Sequence, residues 1–122
     1  MVLGDANTNQ NQSVRSNPFL LYDADQPGQS LVGDEVLTSS NYHIWLPLMT
    51  LFLRVKNKIG FVDGTLPKPP ANNQTSAMWS CCNSMVMSWI TSSVSDDIRK
   101  SIIYHNTAQA MWSALKDRYH ML

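Results

Sequence analysis

The sequence predicts an all-α fold, a small bundle of about four helices preceded by an extended N-terminal arm. With 122 residues, the chain suits one domain with a single core. After residue 38 apolar residues recur every three to four positions, the period of a helix with one buried face. Before residue 38 the chain is first polar and then contains turn residues that interrupt its apolar clusters. We therefore expect a disordered polar tail over residues 1–17, an extended arm over 18–37 and a helical domain over 38–122.

The tail and the arm differ in composition. Residues 4–17 are almost entirely Asn, Gln, Ser, Thr, Ala and Asp, with too little apolar surface to offset the entropy of ordering them. In the arm, apolar clusters at 19–22 and 31–32 flank a turn signal at 26–28. These clusters predict an arm that docks on the body, with a short β-pairing.

The first helix is expected to be capped by one of residues 38–40 and to end at Gly60 in the left-handed conformation. Pro47 costs on the order of 3 kcal/mol deep in a helix, so we predict a start at Ile44 or later, or a kink. The predicted buried stripe keeps helical spacing: Trp45, Leu48, Met49, Phe52, Val55 and Ile59.

A turn and a proline-rich extended connector are predicted over residues 61–70. Thr75 or Ser76 then caps a second helix, whose predicted apolar face is Met78, Cys82, Met85, Val86, Trp89 and Ile90.

Two further helices complete the predicted bundle. Ser95 caps a short helix that extends to Tyr104. Asn106 with Gln109 resembles a capping box and opens the last helix. The predicted lining of that helix is Met111, Trp112, Leu115 and Tyr119. Four aromatic residues are assigned to the core of the bundle: Trp45, Phe52, Trp89 and Trp112.

The zero net charge divides unevenly, −4 over residues 1–40 and +4 over 41–122. This asymmetry would let the acidic arm bind the basic body weakly, but the favoured interpretation is that these charges lie on a solvated face. The basic residues proposed for contacts between subunits or with RNA are Arg54, Lys56, Lys58, Arg99 and Lys100. Trp79 lies beside the predicted apolar face and is a candidate interface residue, with contact to the docked arm as the alternative.

The chemistry-bearing residues favour structural roles. Asp96 and Asp97 are consecutive, so in a helix they point about 100° apart and do not face one another. The three histidines and the adjacent cysteines lack metal-ligand spacing, and residues 63–65 have the letters of an aspartic-protease turn in the wrong order. We predict no enzyme activity, no cofactor and no small-molecule substrate. No apolar run approaches the roughly 20 residues that span a bilayer, so we expect no membrane contact and a cytoplasmic location.

The motif at residues 41–45, Asn-Tyr-His-Ile-Trp, occurs together with residues 56–65 and with Trp89-Ile90. This series resembles the N-terminal part of Gag from Copia-type LTR retrotransposons, the form common in plant genomes, and the resemblance runs from about Asn17 to the last residue. It implies a domain of a capsid-forming structural protein whose partners are itself or other Gag chains, and whose function is self-association in particle assembly.

Two other functions stay open at this point. Gag proteins of this family continue into a second helical region and usually a zinc knuckle, which these 122 residues do not contain. A domesticated Gag remnant that regulates by binding Gag or a host protein is the first alternative. A weak RNA-binding module, whose affinity would fall steeply with salt, is the second.

Overall fold

Five helices are present in residues 17–120, the part of the chain that the structure, a computed structural model, describes. Their bounds are α1 Tyr42–Val55, α2 Gly60–Asp63, α3 Ser76–Ser92, α4 Asp96–Ile102 and α5 Ala108–Tyr119. The all-α prediction is confirmed, with one short helix more than expected, because α2 occupies the beginning of the predicted turn. The predicted tail lies, apart from Asn17, outside the described residues.

The arm crosses the body as a series of turns and forms a single parallel β-bridge between Leu37 and Val94. Leu37 N–H donates to the Ser93 carbonyl (3.0 Å), and Ser95 N–H donates to the Leu37 carbonyl (2.9 Å). The predicted β-pairing is thus one bridge, which fixes the end of the arm to the loop between α3 and α4.

The start of α1 differs from the prediction. The N-cap is Asn41, whose side chain binds the preceding turn: Thr38 N–H donates to its Oδ1 (2.7 Å) and its Nδ2 donates to the Val36 carbonyl (2.9 Å). The helix therefore begins at Tyr42, so the predicted late start is wrong. Pro47 lies inside the helix on its exposed side. Proline has no N–H to donate to the carbonyl four residues earlier, and on this side of the helix water can bind that carbonyl instead.

The end of α1 also differs. The helix stops at Val55, and the left-handed residue is Asn57 (φ 57°), a type that tolerates this conformation. Gly60 instead begins α2, where it is buried, and a Cβ there would lie 2.6 Å from Leu66 Cδ1. Gly60 is therefore needed for close packing and not as a helix stop.

The later helices follow the predicted order with shifted ends. Thr75 and Ser95 are the N-cap residues of α3 and α4, and α4 ends two residues before Tyr104. The cap of α5 is Thr107, whose Oγ1 accepts from Ala110 N–H (3.1 Å), so the predicted Asn106 cap is wrong. The Asn106 carbonyl instead accepts from the side-chain amide of Asn83 in α3.

Aromatic packing defines the core. Trp45 and Trp89 are fully buried, and Trp112 is half-buried with its ring 5.6 Å from that of Trp45. Phe52 is 36% exposed, which corrects its assignment to the core. The buried face of α1 centres on Met49, and Phe52 lies about 60° round the helix from it, at the edge of that face. The buried residues of α1 are Tyr42, Trp45, Met49 and Leu53.

Candidate interaction surfaces

Three charged residues form a buried cluster between the arm and the end of α1: Asp25, Lys56 and Lys58. Asp25 Oδ1 accepts from Lys56 Nζ (2.8 Å), and Asp25 Oδ2 accepts from the backbone N–H of Tyr22 (2.9 Å). Lys58 Nζ donates to the carbonyls of Leu20 (2.7 Å) and Lys56 (3.3 Å). We refer to these three residues as the buried charge cluster. It attaches the first half of the arm to the body.

The environment of the cluster alters the acidity of its members. Burial by itself would raise the pKa of Asp25, but the hydrogen bonds from Lys56 and Tyr22 and the positive charges of Lys56 and Lys58 outweigh it and lower that pKa. Burial lowers the pKa of Lys58, against the opposing influence of Cys82 and Asp25. Asp25 is therefore held in its ionised form, whereas the charge of Lys58 is disfavoured by its surroundings.

This arrangement changes the interpretation of the basic candidates at the end of α1. Lys58 is completely buried, and Lys56 is half-buried against Asp25, so their ammonium groups bind the arm of their own chain. The prediction that Lys58 contacts RNA or another subunit was wrong, because its ammonium group is inaccessible. Arg54 alone of the three is exposed.

The remaining basic candidates lie on α4. Lys100 is exposed, and Arg99 pairs with Asp96 one helical turn earlier. Asp96 belongs to the first turn of the helix, as predicted. Both cations stay accessible as proposed contacts, although an exposed pair of this kind contributes little to stability.

Trp79 is buried, only 5% exposed, which contradicts its assignment to an interface. Its Nε1–H donates to the Leu66 carbonyl (2.8 Å), and its ring lies 5.9 Å from that of Phe61. The Phe61 ring in turn meets Phe19 of the arm at 6.2 Å. Trp79 therefore holds α2 and the following connector on α3, and Phe61 lies between it and the arm.

Two residues of α3 hold the arm from the other side. Trp89 Nε1–H donates to the Gln26 carbonyl (2.8 Å), and Cys82 Sγ donates to the Phe19 carbonyl (3.2 Å). Burial raises the pKa of the Cys82 thiol, an effect that the nearby Lys58 charge opposes. Cys82 is thus a buried hydrogen-bond donor, and the neighbouring Cys81 is an exposed free thiol.

We expect Lys58→Ala to lower the free energy of unfolding by about 2 kcal/mol, because it removes the donor of two partly buried hydrogen bonds and opens a cavity. Loss of the disfavoured buried charge offsets part of this cost. Urea denaturation followed by far-ultraviolet circular dichroism measures the difference. The matched control is Lys100→Ala on an exposed position, and an equal effect of the two substitutions would contradict the structural role of Lys58.

The outer surface of α1 is unusually apolar. Ile44, Leu51 and Val55 are exposed by 52%, 55% and 74%. Arg54 is the only residue of this helix with a full charge at neutral pH. Beside them lies a shallow depression of about 670 Å³, lined entirely by residues of α1: His43, Leu46, Pro47, Thr50, Leu51 and Arg54. Because one helix supplies all of its lining, this depression is a furrow on an open surface.

Within residues 17–120 no group of three or more His, Cys, Asp or Glu side chains lies in an arrangement that would hold a metal ion. His43, His105 and His120 lie on separate elements. None of the described helices is long and apolar enough to cross a bilayer.

Comparison with known families adds one match. Residues 23–70 match the family model described as the Gag polypeptide of LTR copia-type. This stretch is similar to a copia-type Gag polypeptide, and we call it the Gag segment. The description names no host, and the predicted resemblance to Copia Gag is confirmed over this range.

The Gag segment contains most of the arm, all of α1 and α2, and the complete buried charge cluster. The match supports a Gag-related structural role for this segment. Neither the curated proteins nor the solved structures contain a match to this chain. The Trp89-Ile90 motif, which was also assigned to the resemblance, lies outside the matched range.

Sequence reasoning missed the buried charge cluster. Its residues Asp25 and Lys56 are separated by 31 positions, and the run Lys56-Asn57-Lys58 has the composition of a solvated helix end. The available signal was the charge asymmetry between the arm and the body, which pointed to docking without identifying a pair. Asn83, a buried polar residue that accepts from Ala108 N–H (2.9 Å), was missed because it lies within an otherwise apolar stripe.

Proposed function

We propose that this chain is a retrotransposon Gag-derived structural module that associates with further copies of itself or with other Gag chains, as in the assembly of capsid-like particles. The observation that carries the proposal is the copia-type Gag match over residues 23–70. Such a module acts by repeating one weak contact many times, so that avidity replaces the affinity of any single contact.

The surface of α1 supports this proposal. Exposed apolar residues are ordinary when scattered singly, but a group of them on one helix with almost no charge is typical of an interaction surface. Ile44, Leu51 and Val55 form such a group. The zero net charge of the chain also minimises the repulsion between copies.

Sedimentation equilibrium of the full chain between about 1 μM and 1 mM tests the proposal, because weak protein contacts have dissociation constants in this range. We expect the average mass to rise with concentration. A constant monomer mass would contradict self-association and favour the alternative of a Gag remnant that binds intact Gag or a host protein. Mixing the chain with full-length Gag would then measure that alternative directly.

RNA binding is the less favoured function. Of the basic residues at the end of α1, Lys56 and Lys58 bind the arm, so an RNA backbone would meet Arg54 and, on α4, Arg99 and Lys100. Few phosphate contacts mean low affinity with a shallow salt dependence. Neutralising Lys58 would not test this function, since it disrupts the attachment of the arm. Arg54→Gln is the appropriate variant because Arg54 is exposed.

The site of action in this proposal is the cytoplasm, where Gag chains and the RNA of the retrotransposon would meet. Tagged full-length chain followed by microscopy and by fractionation tests this part. Recovery in sedimenting particles would agree with assembly, and recovery with membranes would contradict the cytoplasmic location.

A further inference from the structure

The helix α1 carries two apolar faces, and only one of them is used in the fold. The buried face consists of Tyr42, Trp45, Met49 and Leu53. A second row has spacings of four, three and four residues and comprises Ile44, Leu48, Leu51 and Val55. We call this row the outer seam. Leu48 is half-buried at its inner edge, and the other three side chains are exposed.

The spacing of the outer seam indicates the kind of partner. Alternation of three and four residues is the heptad pattern by which one helix packs along another. At 100° per residue the four positions lie within about 60° of one another, a narrow stripe on the helix surface. The seam therefore matches a second helix with the same spacing, and not a small ligand.

We infer that the outer seam pairs with the outer seam of a second copy, with the two α1 helices antiparallel about a two-fold axis. This inference rests on the proposed function and gives the self-association its surface and geometry. The seam is palindromic in spacing, so an antiparallel register places Ile44 opposite Val55 of the second copy and Leu48 opposite Leu51. Every seam residue then meets another apolar residue, as a self-complementary interface requires.

The charge on α1 selects the antiparallel direction. Arg54 flanks the seam, and in a parallel pair the two Arg54 side chains would lie side by side. In the antiparallel register Arg54 lies level with residue 45 of the second copy, which separates the two cations by about 13 Å along the axis. This distance exceeds the screening length of about 8 Å at physiological salt. Antiparallel pairing also aligns the helix dipoles favourably.

A second copy is a better occupant than the N-terminal tail of the same chain. The apolar side chains of residues 1–17 are Met1, Val2, Leu3, Ala6 and Val14, and no four of them have the four-three-four spacing that would match the seam. The paired surface is one helix of 14 residues from each copy, smaller than the interfaces of about 1,200–2,000 Å² that form stable dimers. The contact is accordingly weak on its own, as a contact repeated within an assembly needs to be.

Sedimentation equilibrium of the full chain and of Leu51→Glu tests the inference. Two seam leucines become charged in each pair, so we expect the dissociation constant to rise by about a hundredfold or more. Tyr104→Glu is the matched control, because it places the same charge on a tyrosine that is 85% exposed outside α1. We expect that control to change the constant less than about threefold. Circular dichroism verifies that each variant keeps its helix content.

The direction of pairing is tested by Ile44→Glu alone and combined with Val55→Lys. In the antiparallel register the new Glu and Lys face one another twice in each pair, so the double variant recovers association that the single variant loses. A double variant as defective as the single one would overturn the antiparallel register.

The other outcomes separate the inference from the proposed function. If Leu51→Glu associates as the unmodified chain does, the outer seam is not the interface, although self-association stands. A monomer at every concentration overturns both.

Discussion

Trp45→Ala is expected to lower the free energy of unfolding by about 5 kcal/mol, at the upper end of the range for truncating a buried tryptophan. Trp45 is 1% exposed, and its ring packs against those of Tyr42 and Trp112. Its Nε1–H donates to the Ser93 carbonyl at 2.7 Å, the same carbonyl that accepts from Leu37 at the end of the arm. The substitution therefore opens a cavity and removes one of the two donors at the junction of α1, α3 and the arm.

Urea denaturation followed by circular dichroism measures this loss, provided that the slope of the unfolding free energy against urea concentration is the same in both proteins. Trp45→Phe is the intermediate variant, since it keeps most of the ring volume while it removes the donor. Trp112→Ala is the matched control, because Trp112 touches the same ring from a half-buried position and should cost less than half as much. Equal losses for Trp45 and Trp112 would show that the core does not centre on Trp45.

The helical fold was predictable because four of the five described helices carry local signals that agree with their packing. The last helix shows this: Met111, Leu115 and Tyr119 have helical spacing, and all three are buried. The error at Phe52 has the opposite cause. The helix α1 has two apolar rows with Phe52 between them, and spacing alone does not decide which row meets the core. Only the surrounding helices select the row at Trp45 and Met49.

The candidate site was less predictable than the fold, because its contacts join distant parts of the sequence. Trp79 was predicted to lie beside an apolar face, but α2 and Leu66 cover it, and α2 itself was predicted as a turn. Burial of Lys58 likewise depends on the Leu20 carbonyl, 38 positions away. Composition predicts that lysine is exposed, and the tertiary hydrogen bonds override that preference.

The second large effect is expected at Asp25. Its carboxylate is almost completely buried and accepts from Lys56 and from the Tyr22 N–H. Asp25→Asn keeps the size of the side chain but leaves Lys56 and Lys58 without a negative neighbour at the arm. Removing one partner of a buried ion pair costs about 3 kcal/mol or more at neutral pH.

The same residue gives the protein a specific acid response. The pKa of Asp25 is lowered in the folded chain, so its contribution to stability is fully present above the unfolded-state pKa of about 3.9. That contribution is lost as the pH falls through the lower pKa of the folded state. We expect the unmodified chain to lose stability steeply below about pH 4, and Asp25→Asn to lose less over the same interval.

Urea denaturation of the unmodified chain and of Asp25→Asn at a series of pH values from 7 downward measures how steeply each loses stability with acid. Asp34→Asn, on an exposed position of the same arm, is the matched control and should follow the unmodified chain. The double variant Asp25→Asn with Lys56→Met should recover part of the loss, because the lysine that pairs directly with Asp25 is then removed together with its partner. If Asp25→Asn showed the same acid slope as the unmodified chain, Asp25 would not be the residue whose ionisation holds the arm. The arm would then depend on its other contacts, among them the hydrogen bonds from Trp89, Cys82 and Lys58.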